Sequence, residues 1–180
     1  MTARSLNGVT VPKDGGNTPG YGVYSKTNLT VNIVGTNNLT GSNMGLAAVD
    51  SSVTLEGDGE LNATGNDEEF GIGADVNITI NSGTIHATSN SPGLYAPNGN
   101  ITIIGGSVIA EGNDGAFKIK PEFGSKWYKW RTSADGAFTD SQVAPYTWSA
   151  TDKYVEIQPR EAVAPSITTT SLAGGTVGET

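Results

Sequence analysis

The chain has no cysteine, so no disulfide contributes to its stability, and that absence alone assigns no compartment. It has no apolar run approaching 18 residues, which excludes a transmembrane helix from the sequence given. No window keeps a sustained helical period. Histidine occurs once, at His86, without a second histidine to share a metal and without a nucleophile at a readable spacing. Lysine and arginine are missing altogether between Lys26 and Lys118, a span that holds ten acids. With a net charge of −8, nucleic acid is a poor partner for this body.

What is abundant is glycine, 25 of 180 residues, together with asparagine, serine and threonine. These residues punctuate a repeat. Residues 93–114, GLYAPNGNITIIGGSVIAEGND, restate residues 71–92, GIGADVNITINSGTIHATSNSP; residues 45–70 and 22–44 follow more loosely, and a fifth turn opens at Gly115-Ala116-Phe117 before breaking the pattern. Aligned on their opening dipeptides, Val23, Leu46, Ile72, Leu94 and Ala116 form one column, with steps of 23, 26, 22 and 22 residues. A period in this range marks a solenoid.

Each turn carries three short alternating runs bounded by corner residues, which predicts three strands per turn. The second strands align Val31/Ile33, Val53/Leu55, Ile78/Ile80 and Ile101/Ile103. The third align Leu39, Leu61, Ile85 and Val108, followed two residues later by Gly41, Ala63, Ala87 and Ala110. A chain that returns to its start every 22 or so residues continues only by stacking, burying a column of Val, Ile and Leu that no single turn buries alone. The expected fold is all-β: a right-handed parallel β-helix of about five turns, the hand following the general bias of parallel crossovers. Gly35, Gly57, Gly83 and Gly106 mark the corner after the second strand, and turns one and two carry one more residue there. Asn66, Asn90 and Asn113 form a corner column suited to left-handed backbone and to a hydrogen-bonded ladder.

Residues 1–20 are expected to form an N-terminal lid and residues 21–120 the repeats. Residues 121–158 hold all three tryptophans (Trp127, Trp130, Trp148) and read as an aromatic β cap over the last turn. With both ends lidded, a monomer is expected. No signal peptide is visible, and Met1 reads as a start placed inside a longer protein. Residues 159–180 read as a linker; within them PSITTTSLAGGTVGE resembles the opening of bacterial immunoglobulin-like repeats.

The repeat itself, with turns of the form GI-x-A-x-x-x-(I/V)TI-x-GG-x-(I/V)-x-A, resembles the β-helical, carbohydrate-binding-type domains of surface proteins from anaerobic Gram-positive bacteria. Residues 93–110 fit closely, 71–87 well and 22–63 in part, about 100 residues in all. The resemblance implies a secreted or cell-surface location and contact with polysaccharide, and it supplies no catalytic set. Polysaccharide lyases share such a fold and use clustered acids that hold calcium plus an arginine or lysine base on one outer sheet. Here the acids are present, but no base lies between Lys26 and Lys118.

The candidate sites follow. The basic cluster at the capped end, Lys118, Lys120, Trp127, Lys129 and Arg131, offers tryptophan plus cations to an acidic sugar, with Trp127, Lys129 and Arg131 on one strand face and Tyr128 and Trp130 on the other. The first-strand sheet has an outward column, Tyr24, Ala47, Gly73, Tyr95 and Phe117, in which aromatics separated by small residues form a ridge beside a shallow groove where sugars stack. Asp58, Glu60, Asp67, Glu68 and Asp114 are candidate calcium ligands, although no spaced calcium loop is present. Asp58 and Glu60, pointing the same way on a strand, are also a carboxylate pair of the kind glycosidases use. The second-strand sheet turns Asn32, Thr54, Thr79 and Thr102 outward. The leading expectation is a non-catalytic extracellular module that binds carbohydrate or mediates adhesion. The alternatives are a structural stalk and a calcium-dependent, lyase-like enzyme.

Overall fold

The computed structural model describes residues 20–66, 69–124 and 128–160, and the backbone of a strand at 9–11. The described residues contain strands and turns and no helix, and so none long and apolar enough to cross a membrane.

The strands follow the repeat. A strand β1 (Val9–Val11) precedes the first full turn of β2 (Tyr21–Ser25), β3 (Leu29–Ile33) and β4 (Thr36–Gly41). The second turn is β5 (Met44–Ala48), β6 (Val53–Gly57) and β7 (Glu60–Gly65); the third is β8 (Ile72–Ala74), β9 (Ile78–Ile80) and β10 (Thr84–Ser89). The fourth is β11 (Leu94–Tyr95), β12 (Ile101–Ile103) and β13 (Ser107–Gly112). Equivalent strands pair in parallel from turn to turn, giving a first sheet β11-β8-β5-β2, a second sheet β14-β12-β9-β6-β3, and a third that begins β1-β4-β7-β10-β13, where β14 is Glu122–Phe123. The protein is a three-sided parallel β-solenoid of four complete turns, with β1 below and β14 above belonging to incomplete ones. The fifth turn stays incomplete because its third strand is replaced: β17 (Tyr154–Pro159) lies antiparallel on β13 and is followed across the sheet by β15 (Tyr128–Arg131) and β16 (Thr139–Asp140).

Alternation puts the apolar residues of each strand inside. Leu46, Ile72 and Leu94 are wholly buried, as are Val53, Leu55, Ile78, Ile80 and Ile101, and each such side chain contributes about 1.5–3 kcal/mol over an exposed one. The cap closes the column with aromatics. Tyr128 and Tyr146 are buried, Phe123 stacks on Tyr128 at 4.3 Å, and Trp130 packs on Tyr146 at 5.2 Å. Trp148 donates its indole N–H to the Phe117 carbonyl at 3.3 Å.

Four registers differ from the sequence alignment. Leu94 bridges to Phe117, not Ala116, so Phe117 turns inward and is 1% exposed. In the third sheet Leu39 pairs with Ala63, and Asn37 takes the inward position opposite Leu61. Asn37 is tolerated there because its amide Nδ2 donates to the Val34, Gly35 and Glu60 carbonyls, each at 3.2 Å. In the second sheet the outward column is Thr30, Thr54, Thr79 and Thr102, with Asn32 opposite Glu56. At the corner, Gly59 occupies the place of Gly35, Gly83 and Gly106, because Thr36, Glu60, Thr84 and Ser107 pair directly; Gly57 sits two residues earlier, absorbing the extra residue at φ +118°.

The asparagine ladder is present in a different form. Asn90 donates its amide to the Asn66 carbonyl, and Asn66 donates to the Gly41 carbonyl at 3.3 Å. Among the described residues, the one non-glycine with positive φ is Asp50, so the asparagines bridge turns with their side chains instead of adopting left-handed backbone.

Candidate functional site

The first sheet places its outward column as alternation requires. Tyr24 pairs with Ala47, Ala47 with Gly73, and Gly73 with Tyr95, so the two tyrosines stand three strand spacings apart, roughly 14 Å. Phe117 does not extend this column: the one-residue slip that opposes it to Leu94 carries its ring into the core.

Tyr24, exposed, and Tyr95, half-buried, each gain an aromatic neighbour. Tyr21 stacks on Tyr24 with ring centroids 5.0 Å apart and planes at 28°, and Phe70 packs on Tyr95 at 4.6 Å and 57°. Between the pairs the floor is small. Ala47 and Gly73 are buried, Gly73 beneath Met44 and Phe70: a Cβ on Gly73 would meet the Met44 sulfur at 2.9 Å and the Phe70 ring at 3.1 Å. Tyr21, Met44 and Phe70 escape an alignment that begins at the opening dipeptide, because each immediately precedes the glycine that starts its turn (Gly22, Gly45, Gly71). That shared position was the available signal.

Beside the Phe70–Tyr95 pair lies an open depression of about 40 Å³, lined by Met44, Ala47, Phe70, Gly73, Tyr95 and Pro97, with Asp75 among its walls. Asp75 Oδ2 accepts the Asp50 backbone amide at 2.8 Å. The surroundings are acidic. Burial raises the pKa of the Glu69 carboxyl. Burial, then the charges of Glu69, Tyr24 and Asp75, raise that of the Tyr21 phenol.

The basic end is arranged differently. Lys129 and Arg131 share one side of β15, with the Lys129 ammonium 5.1 Å and the Arg131 guanidinium 4.6 Å from the Phe138 ring centroid. Arg131 is occupied within the fold: its guanidinium meets Glu156 at 2.5 Å and donates to the Ala134 and Gly136 carbonyls. Tyr128 and Trp130 pack inward. Lys118 and Lys120 are exposed between β13 and β14, and Trp127 lies outside the described residues.

The acids do not assemble. Among the described residues no three histidine or carboxylate side chains come together as a metal site. Asp58 and Asp114 are exposed; Glu60 accepts a 3.0 Å hydrogen bond from Asn62; Asp67 and Glu68 lie outside the described residues. Asp58 and Glu60 are not a pair on one strand, since Asp58 falls in the corner between β6 and β7. His86 sits outward on β10 between Asn62 and Ile109 of the neighbouring strands, half-buried.

Comparison with known protein families, with curated proteins and with solved structures finds no match to this chain.

Proposed function

We propose that this domain is a non-catalytic glycan-binding module of an extracellular bacterial surface protein, and that the glycan lies across the outer face of the first sheet. The reading rests on one observation: two aromatic pairs, Tyr21–Tyr24 and Phe70–Tyr95, stand on the same solvent-facing sheet with the small Ala47 and Gly73 between them. Sugar rings present apolar C–H faces, and aromatic platforms on a rigid sheet bind them at little entropic cost. The sequence resemblance supports the same class of partner and the cell-surface location.

The site moves from where the sequence placed its strongest candidate. Arg131 is committed to Glu156 and to backbone carbonyls, so it has little left to offer an acidic sugar. The floor between the two aromatic pairs carries no lysine or arginine, and the exposed Lys26 and Lys118 lie at its two ends, which suits a neutral glycan laid across the floor.

A glycan array on the full chain, with and without calcium, tests the reading. Binding of neutral oligosaccharides that Tyr24→Ala and Tyr95→Ala each reduce about tenfold or more is the expected result. Binding confined to acidic glycans and lost in Lys120→Ala or Lys129→Ala moves the site to the basic end. A blank array on folded protein leaves a structural stalk.

A further inference from the structure

We infer that the depression beside Tyr95 is a subsite for the acetamido group of an N-acetylhexosamine. The inference rests on the glycan-binding reading and specifies its ligand. At about 40 Å³ the depression has room for a substituent of a few heavy atoms and not for a sugar ring. Its walls are chiefly Met44, Ala47, Phe70, Gly73, Tyr95 and Pro97, which suit a methyl group and penalise an unpaired polar one.

The single acid in that wall completes the match. Asp75 spends Oδ2 on the Asp50 amide, which leaves its second oxygen to accept an N–H from the ligand. An acetamido group presents both features at once, a methyl for the apolar wall and an N–H for a carboxylate. The Tyr95 ring at the rim, itself braced by Phe70, is placed to take the face of the same sugar.

Two competing substituents fit less well. A uronate carboxylate would meet the Asp75 carboxylate in a wall that itself contains no lysine or arginine. A protonated amine would gain from the acids but would have to shed water into a mainly apolar wall. The methyl burial and the charge-assisted hydrogen bond together set the expected preference for the N-acetylated sugar at about tenfold or more.

Calorimetric titration of the full chain with tetrasaccharides of N-acetylglucosamine, glucosamine and galacturonic acid tests this. The N-acetylated oligomer binds tightest, and its N-propionyl analogue, one methylene larger, binds more weakly. Gly73→Ala adds a methyl under Met44, whose flexible thioether end can give way, and against the edge of the Phe70 ring at 3.1 Å, so the fold survives and the N-acetyl preference falls toward parity. Equal affinity for the N-acetylated and free-amine oligomers, or a preference untouched by both the propionyl extension and Gly73→Ala, overturns the subsite and leaves the glycan-binding reading standing. No binding by any of the three, or binding that Tyr24→Ala and Tyr95→Ala leave unchanged, overturns both.

Discussion

Phe117 faces Leu94 across the last rungs of the first sheet, one residue out of step with the repeat, and the slip converts an outward aromatic into the plug of the solenoid. The Leu94 amide donates to the Ala116 carbonyl at 3.0 Å and the Lys118 amide donates to the Leu94 carbonyl at 3.2 Å, which fixes the register. Above it Trp148 closes on the Phe117 carbonyl. Phe117→Ala therefore opens a cavity at the top of the apolar column and costs about 3–5 kcal/mol. Chemical denaturation followed by circular dichroism reads this directly; a loss below about 1 kcal/mol would mean that Phe117 is not packed as a core residue.

Asn37 tests the opposite case, a polar residue in an apolar column. It stands opposite Leu61 and is 6% exposed. Asn37→Leu restores the apolar pattern but removes the donor to the Val34 and Glu60 carbonyls; the Gly35 oxygen keeps the Glu60 amide at 2.8 Å. The hydrogen bonds lost outweigh the gain in apolar surface, so the leucine variant is less stable by about 1 kcal/mol. A variant at least as stable as the parent in a urea titration would contradict this account.

Asn37 and Phe117 also show where the sequence could and could not be read. The turn length, the three strands and the columns Val23–Leu46–Ile72–Leu94 and Leu55–Ile80–Ile103 follow from alternation alone, because each position repeats an aliphatic side chain. Aligning Leu39 with Leu61 matched like with like, but the hydrogen bonds of Asn37 hold the strand two residues away from that match. The cap, not the repeat, decides the place of Phe117. In the candidate site, Tyr24 and Tyr95 were legible as members of an outward column. Their partners Tyr21 and Phe70 were not, because Tyr21 is the first residue of β2 and Phe70 lies in the corner before β8, where period two does not yet say which way a side chain points.

The corner glycines make a paired prediction. Gly35 and Gly106 occupy equivalent corners at φ +65° and +79°. A Cβ on Gly35 meets nothing within 4 Å, whereas one on Gly106 meets the Gly83 carbonyl oxygen at 2.4 Å. Gly35→Ala costs only the left-handed strain, about 1 kcal/mol. Gly106→Ala adds a clash with backbone that cannot swing aside, for a total on the order of 3 kcal/mol. Equal losses of melting temperature in the two variants would show that crowding between turns is not what separates them.

Glu156 sets the acid limit of the cap. It is 4% exposed on β17, and burial by itself would raise its pKa. The hydrogen bonds it accepts from Tyr154 at 2.7 Å, Arg131 at 2.6 Å and Gln158 at 2.6 Å outweigh that and hold it below the ordinary value of 4.5. The unfolded chain thus binds this proton more readily than the folded one, so the stability contributed by Glu156 is full above pH 4.5 and is lost as pH falls through the folded value. Glu156→Gln lacks the contribution at every pH. Its melting temperature should lie below the parent's at pH 7 and converge with it as pH falls below 4.5. A gap of constant size across that range would mean that the charge of Glu156 contributes nothing, and that its place between Arg131 and Tyr154 is held by shape and neutral hydrogen bonds alone.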